Sequence, residues 1–209
     1  MSRALLLQLA LPLVQTHGFT RETLARSVLS LPTPHSKPLS ETAVSALFGN
    51  GDDARRTLIE AWLDSGRESM KAAPTPAVKD VLGTRLRHNE PVLRHLPEAF
   101  ALLATSTPPL PPLHLTPALK HAASVADEAC RVAGDASTGT AWYARRASLA
   151  AVYAAAELHQ LTSPHSAYDF LNSLLDKASA VEHAISETEL FTRYIARSWA
   201  GIINSRGIF

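Results

Sequence analysis

Nine histidines and a single cysteine are the first places to look for chemistry in this 209-residue chain. Their spacings do not assemble a centre. No HExxH occurs, and no Glu-x-x-His of the kind that di-iron bundles use. Glu157 and His159 are two apart on a helix and diverge to different faces, while His183 and Glu187 form an isolated i, i+4 pair. Gly134-Asp135-Ala136-Ser137-Thr138-Gly139 has the wrong spacing for a nucleophile elbow, and Gly49-Asn50-Gly51 is too short to cradle a phosphate. Cys130 sits in the helical stretch VADEACRVA, where a lone thiol is a small buried residue. The expectation is a protein without catalytic residues, metal or cofactor.

A different grouping stands out between Thr138 and Leu161, TGTAWYARRASLAAVYAAAELHQL, which should form a helix of about six turns. Trp142, Tyr143, Arg145 and Arg146 crowd its start, and Leu149, Val152, Tyr153, Ala154, Ala155, Ala156 and Leu158 follow. Trp, Tyr and Arg are the residue types enriched at protein interfaces. A second amphiphilic segment, Leu190 to Phe209, carries three arginines and no acid. At 100° per residue Phe191, Ile195, Trp199 and Ile202 share an arc of about 80°, with Tyr194 at its edge and Arg193 and Arg197 opposite. That is the make-up of an interfacial membrane helix, or of a terminal helix docked on its own core; periodicity does not separate the two.

The elements that must position these residues are helical throughout. Alternating β-branched runs are absent, and helix punctuation recurs. The pattern predicts a first helix from Ser2 to His17 ending at Gly18, buried rather than a signal peptide, then one from Thr20 to Ser30. A proline-bearing loop leads to a short helix capped by Ser40 and ending at Phe48, and Asp52 or Asp53 opens a longer one through Met70. Pro76 and Pro91 mark further helix starts. TPPLPP at 107–112 is a rigid connector. Thr116-Pro117 opens a helix ending near Gly134, and Ser163-Pro164 breaks the Trp142 helix. Helices over 166–186 and 187–205 complete an all-α fold of about ten helices. No segment has 18 uninterrupted apolar residues. Net charge is +1 and apolar content 46%, so a sizeable core can form and any anionic partner must be met by a local patch.

The segment GFTRETLARSVLSL with SETAVSALFGNGDDARRTLIEAW resembles the helix-turn-helix lobe of TetR-type regulators. Yet 39–50 contains Glu41 as its one charged residue and no cation, which forfeits the phosphate-neutralising term that dominates DNA affinity. The expected domains are a helix-turn-helix-like lobe at 1–63, a helical body at 64–187 and an amphipathic helix at 188–209.

Gly134-Asp135-x-Ser137-Thr138-x-x-x-Trp142-Tyr143-x-x-Arg146-Ala147, then Leu149-Ala150-x-Val152-Tyr153, Glu157-Leu158 and Tyr168-Asp169-Phe170-Leu171, resemble the lipid-binding accessory protein family of mitochondrial ubiquinone biosynthesis. His17-Gly18-Phe19-Thr20 and Leu47-Phe48-x-x-Gly51 fit as well. Ala141 and Gly139 depart from the family's usual asparagine and acid. The resemblance implies a TetR-like fold without enzymatic activity of its own. It also implies a homodimer whose body holds isoprenoid quinone intermediates, peripheral on the matrix face of the mitochondrial inner membrane. By the same resemblance Trp142, Tyr143, Arg145 and Arg146 contact the di-iron demethoxyubiquinone hydroxylase. Phe191, Tyr194, Ile195, Trp199 and Ile202 would meet the membrane. The alternative reading is a TetR-type ligand-sensing transcription regulator, which shares the fold.

Overall fold

A computed structural model describes residues 2–105 and 116–181. Among them the chain is all-α, with no β-strand. Ten α-helical segments run in order: α1 (Arg3–Ala10), α2 (Val14–His17), α3 (Arg21–Arg26), α4 (Glu41–Phe48), α5 (Asp52–Ser69), α6 (Val78–Asn89), α7 (Leu96–Ala104), α8 (Thr116–Val132), α9 (Gly139–Thr162) and α10 (Ala167–Val181). All but the short α2 and α3 have eight or more residues. Tight 3-10 turns link α1 to α2, follow α3 and α5, and precede α7 and α10. The expected amphipathic helix at 188–209 and the TPPLPP connector lie outside the described residues.

Two compact units emerge. One comprises Met1–Ser65 with Pro91–Leu102; the other comprises Gly66–Glu90 with the described residues from Leu103 onward. In the first, Leu6, Ala10 and Val14 recur every four residues and are fully buried, so the apolar opening run is a core helix stripe. Thr20 and Ser40 cap α3 and α4, their hydroxyls accepting the amides of Thr23 and Ala43, each at 3.2 Å. Phe19 meets the edge of Trp62 with ring centroids 6.1 Å apart. Three arginines of this unit serve it internally. Arg21 binds the Glu41 carboxylate at 2.7 Å and the Ser45 hydroxyl at 2.8 Å. Arg55 reaches Asp52 and Glu98, and Arg56 reaches Asp53.

In the second unit α8 packs along α9, and α9 in turn along α10, with α6 against all three. Small residues are buried along both of the helices that pack closest: Ala122, Ala126, Ala129 and Cys130 on α8, and Ala154, Ala155 and Ala156 on α9. Two proline expectations differ from the outcome. Pro76 precedes α6 by two residues, with Ala77 as its N-cap, and Pro91 falls inside a 3-10 turn rather than opening α7. A proline fixes φ equally well for either helix type, so its presence alone does not decide between them.

Candidate functional site

The start of α9 is positioned by the turn that ends α8. The Asp135 amide donates to the Cys130 carbonyl at 2.9 Å and the Gly134 amide to that of Arg131 at 3.2 Å. With Gly134 at φ +70°, this pair of bonds is the Schellman stop. The reversal brings Asp135 back toward the helix that follows. Its carboxylate accepts the Ser137 hydroxyl at 2.6 Å, fixing the side chain across the turn. The Ser137 hydroxyl leads the causes that hold Asp135 below the usual carboxylate range, with Arg146 contributing. Thr138 then stands at the N-cap of α9 in extended backbone, without a side-chain capping bond.

Arg146 is gripped from two sides. Its Nε donates to Asp127 of α8 at 2.7 Å and its Nη1 to Asp135 at 3.0 Å. The guanidinium so held lies 4.0 Å from the centroid of the Trp142 ring, one helical turn earlier. Trp142 meets Tyr143 edge-on, centroids 4.8 Å apart and planes at 77°. Trp142 is 36% exposed and Tyr143 70%. Arg145, half-exposed, approaches the same Asp135 at 3.4 Å. The structure thus brings Trp142, Tyr143, Arg145 and Arg146 into one patch over a common acid. Only four large hydrophobic side chains are exposed among the described residues, and these two aromatics are the pair that touch. Phe191, Tyr194, Ile195, Trp199 and Ile202 lie outside the described residues.

Farther along α9 is a group that sequence reasoning missed. Glu157 is buried, and its Oε1 accepts the Tyr153 hydroxyl at 2.5 Å and the Asn89 amide at 2.9 Å. The His121 ring lies 3.2 Å from the other carboxylate oxygen, and the buried Arg85 guanidinium 3.8 Å from the first. Arg85 also donates to the side-chain amide oxygen of Asn89 at 2.6 Å, and the Gln160 side chain donates to the Leu86 backbone carbonyl at 2.8 Å. Burial alone would raise the Glu157 pKa. The His121 ring, the Arg85 guanidinium and the Tyr153 hydroxyl outweigh it and hold the carboxyl at about 2. Burial, with Glu157 adding to it, pushes the Tyr153 phenol well above its ordinary value, so it stays a donor. A sequence signal existed: Tyr153, Glu157 and Gln160 fall at i, i+4 and i+7 on the apolar face, and Arg85 and Asn89 at i, i+4 on another helix. Hydrogen bonds and ion pairs at this cluster tie α6, α8 and α9 together. Among the described residues no group of three metal-binding side chains converges. No described helix is long and apolar enough to cross a membrane.

Residues 115–182, which hold the Schellman turn, the Trp142 patch and most of the buried cluster, match the COQ9 family model. The mitochondrial ubiquinone biosynthesis protein COQ9 of Bos taurus is 30% identical over 201 residues, covering 88% of this chain and 59% of its own length. The Drosophila melanogaster protein of that name is 29% identical, covering 99% of this chain and 64% of its own. The human one is 28% identical over 88% and 59%. This chain therefore spans about three-fifths of the length of the relatives it matches. The resemblance carried by Gly134–Ala147 and the residues after it is thus a resemblance to COQ9, a mitochondrial ubiquinone biosynthesis protein, and it extends over most of this chain.

Proposed function

We propose that this chain serves ubiquinone biosynthesis in mitochondria as a lipid-binding accessory protein without catalysis of its own. In this reading it takes up isoprenoid quinone intermediates at the matrix face of the inner membrane and presents them to the di-iron demethoxyubiquinone hydroxylase. Trp142, Tyr143, Arg145 and Arg146 form the hydroxylase-docking patch, and Phe191, Tyr194, Ile195, Trp199 and Ile202 the membrane-facing stripe of a homodimer. The observation that carries the reading is the exposed Trp142–Tyr143 pair set on a frame of family residues. Exposed aromatics that pack on each other rather than on the core are the residue types from which interface anchors are built.

A TetR-type regulator is the competing reading. Against it stands the internal pairing of Arg21, Arg55 and Arg56 with Glu41, Asp52, Glu98 and Asp53, which leaves their charge neutralised within the lobe. The deciding experiment is co-purification with the hydroxylase. Trp142→Ala with Tyr143→Ala should abolish it while helical circular dichroism is kept; retained binding would place the interface elsewhere. Mass spectrometry of lipid co-purifying with the native protein checks the cargo, and a quinone intermediate is the expected finding. Deleting 190–209 should abolish liposome flotation, and unchanged flotation would remove the membrane role.

A further inference from the structure

Resting on the Trp142 docking patch just described, we infer that Asp127 and Asp135 are positioning residues of that patch, acting through Arg146 on the Trp142 ring. A partly exposed tryptophan at a helix start has several rotamers open to it. Here the face of the ring is covered by a guanidinium 4.0 Å from its centroid. That guanidinium is itself fixed by one carboxylate on α8 and one on the turn before α9. Asp135 is in turn fixed by Ser137 and by the Schellman geometry at Gly134. The order of support runs from the helix stop to the acid, to the arginine, to the aromatic ring.

Two consequences separate this arrangement from a simple charged contact. Arg146 has its side chain largely covered and two carboxylates of its own, so it works as the bed of the ring rather than as a charge offered to the partner. The patch it leaves is aromatic and locally neutralised, which fits an apolar partner surface. A preset ring also has less rotamer freedom to lose on docking, so losing the clamp weakens binding without removing a contact.

The test uses the full chain labelled with 5-fluorotryptophan, whose three tryptophans give three fluorine resonances. Trp142→Phe identifies the relevant one. Asp127→Asn and Asp135→Asn should each shift or broaden the Trp142 resonance. Asp53→Asn, which removes a comparable ion pair to Arg56, should leave it in place. Arg146→Lys keeps the charge but loses the planar stack, and should move the resonance as well. Affinity for the hydroxylase should fall about two- to five-fold in the Asp127→Asn protein, the scale of an exposed cation–π contact. In a Trp142→Ala background the same substitution should have no further effect. An unmoved Trp142 resonance in both aspartate variants would overturn the inference. So would an equal loss of affinity with and without Trp142. Should Asp135→Asn fail to fold, Asp127→Asn, whose carboxylate is largely exposed, decides the matter alone. If the unmodified chain does not bind the hydroxylase, the proposed partner falls, while the fluorine resonances still decide the clamp.

Discussion

Arg85 and Glu157 stand 3.8 Å apart with side chains sealed from water, and Asn89 joins them by accepting from the one and donating to the other. The pair ties α6 to α9. Its desolvation offsets much of its Coulombic attraction, so its net stabilisation is small, but removing one partner leaves a charge uncompensated. Glu157→Ala should therefore lower unfolding free energy by about 3–5 kcal/mol. An Arg85→Met, Glu157→Leu double variant should recover a substantial part of that. Urea unfolding followed by circular dichroism reads both; equal losses in the single and double variants would show that the pair is not what matters.

Two groups of the same unit set the acid response. Burial, reinforced by the Arg85 charge, depresses His88 from 6.5 to about 4. The unfolded chain then takes up that proton first, so stability falls as pH drops from about 6.5 towards 4. Glu157 is held at about 2 against an ordinary 4.5, so its contribution is present above 4.5 and is lost as pH falls towards 2. The melting temperature should decline through both windows. His88→Gln should flatten the upper one and Glu157→Gln the lower one, measured by calorimetry across the range.

At Gly66 a Cβ would lie 2.8 Å from Arg85 Cζ, 2.9 Å from Arg85 Nε and 2.9 Å from His88 Cδ2. Helix propensity favours alanine over glycine by about 1 kcal/mol at an ordinary helical position. The buried guanidinium has no room to yield, being bonded to Asn89. Gly66→Ala should therefore be net destabilising by about 1–3 kcal/mol, the usual range for overpacking. A stability gain in chemical unfolding would mean that the guanidinium relocates.

Gly134 ends α8 in the left-handed region, where a Cβ costs about 1–2 kcal/mol. An added Cβ meets nothing within 4 Å there, so the penalty is conformational and not steric. Gly134→Ala should lose about that much stability and, by loosening Asp135, also disturb the Trp142 environment. Near-ultraviolet circular dichroism alongside thermal melting checks both; a melting loss with an unchanged aromatic spectrum would uncouple the turn from the ring.

Helix order and type were legible from local signals because each rests on neighbours in sequence. Thr20 and Ser40 cap as their positions suggest, and the Trp142 helix runs to Thr162 before Ser163-Pro164. The opening helical run stops at Gly18 as expected but is divided into α1 and α2 by a 3-10 turn at Leu11–Leu13. The Trp142 grouping was likewise visible, since Trp142 and Arg146 are one turn apart. What escaped was everything that depends on distant partners. Asp127 is a plain surface acid until α8 lies beside α9. Glu157 reads as one more helix carboxylate until Arg85 and Asn89 of α6 and His121 of α8 close on it. The return of 91–102 to the N-terminal unit has no mark in the linear order at all.

The length and continuity of α9 carry a consequence of their own. Its 24 residues bear the Trp142–Arg146 surface at one end and Tyr153 and Glu157 in the interior farther on. Eleven residues separate Trp142 from Tyr153 and likewise Arg146 from Glu157. At 3.6 residues per turn that interval brings each pair to within about 20° of the same azimuth. The helix is thus phased: the line that faces inward at its middle is the line on which the ring and its guanidinium stand at its start. Adding or removing one residue between 147 and 152 would rotate one end against the other by about 100° and leave every local pattern intact. This stretch of chain is therefore locked in length as well as in sequence, and substitutions can enter it where insertions cannot.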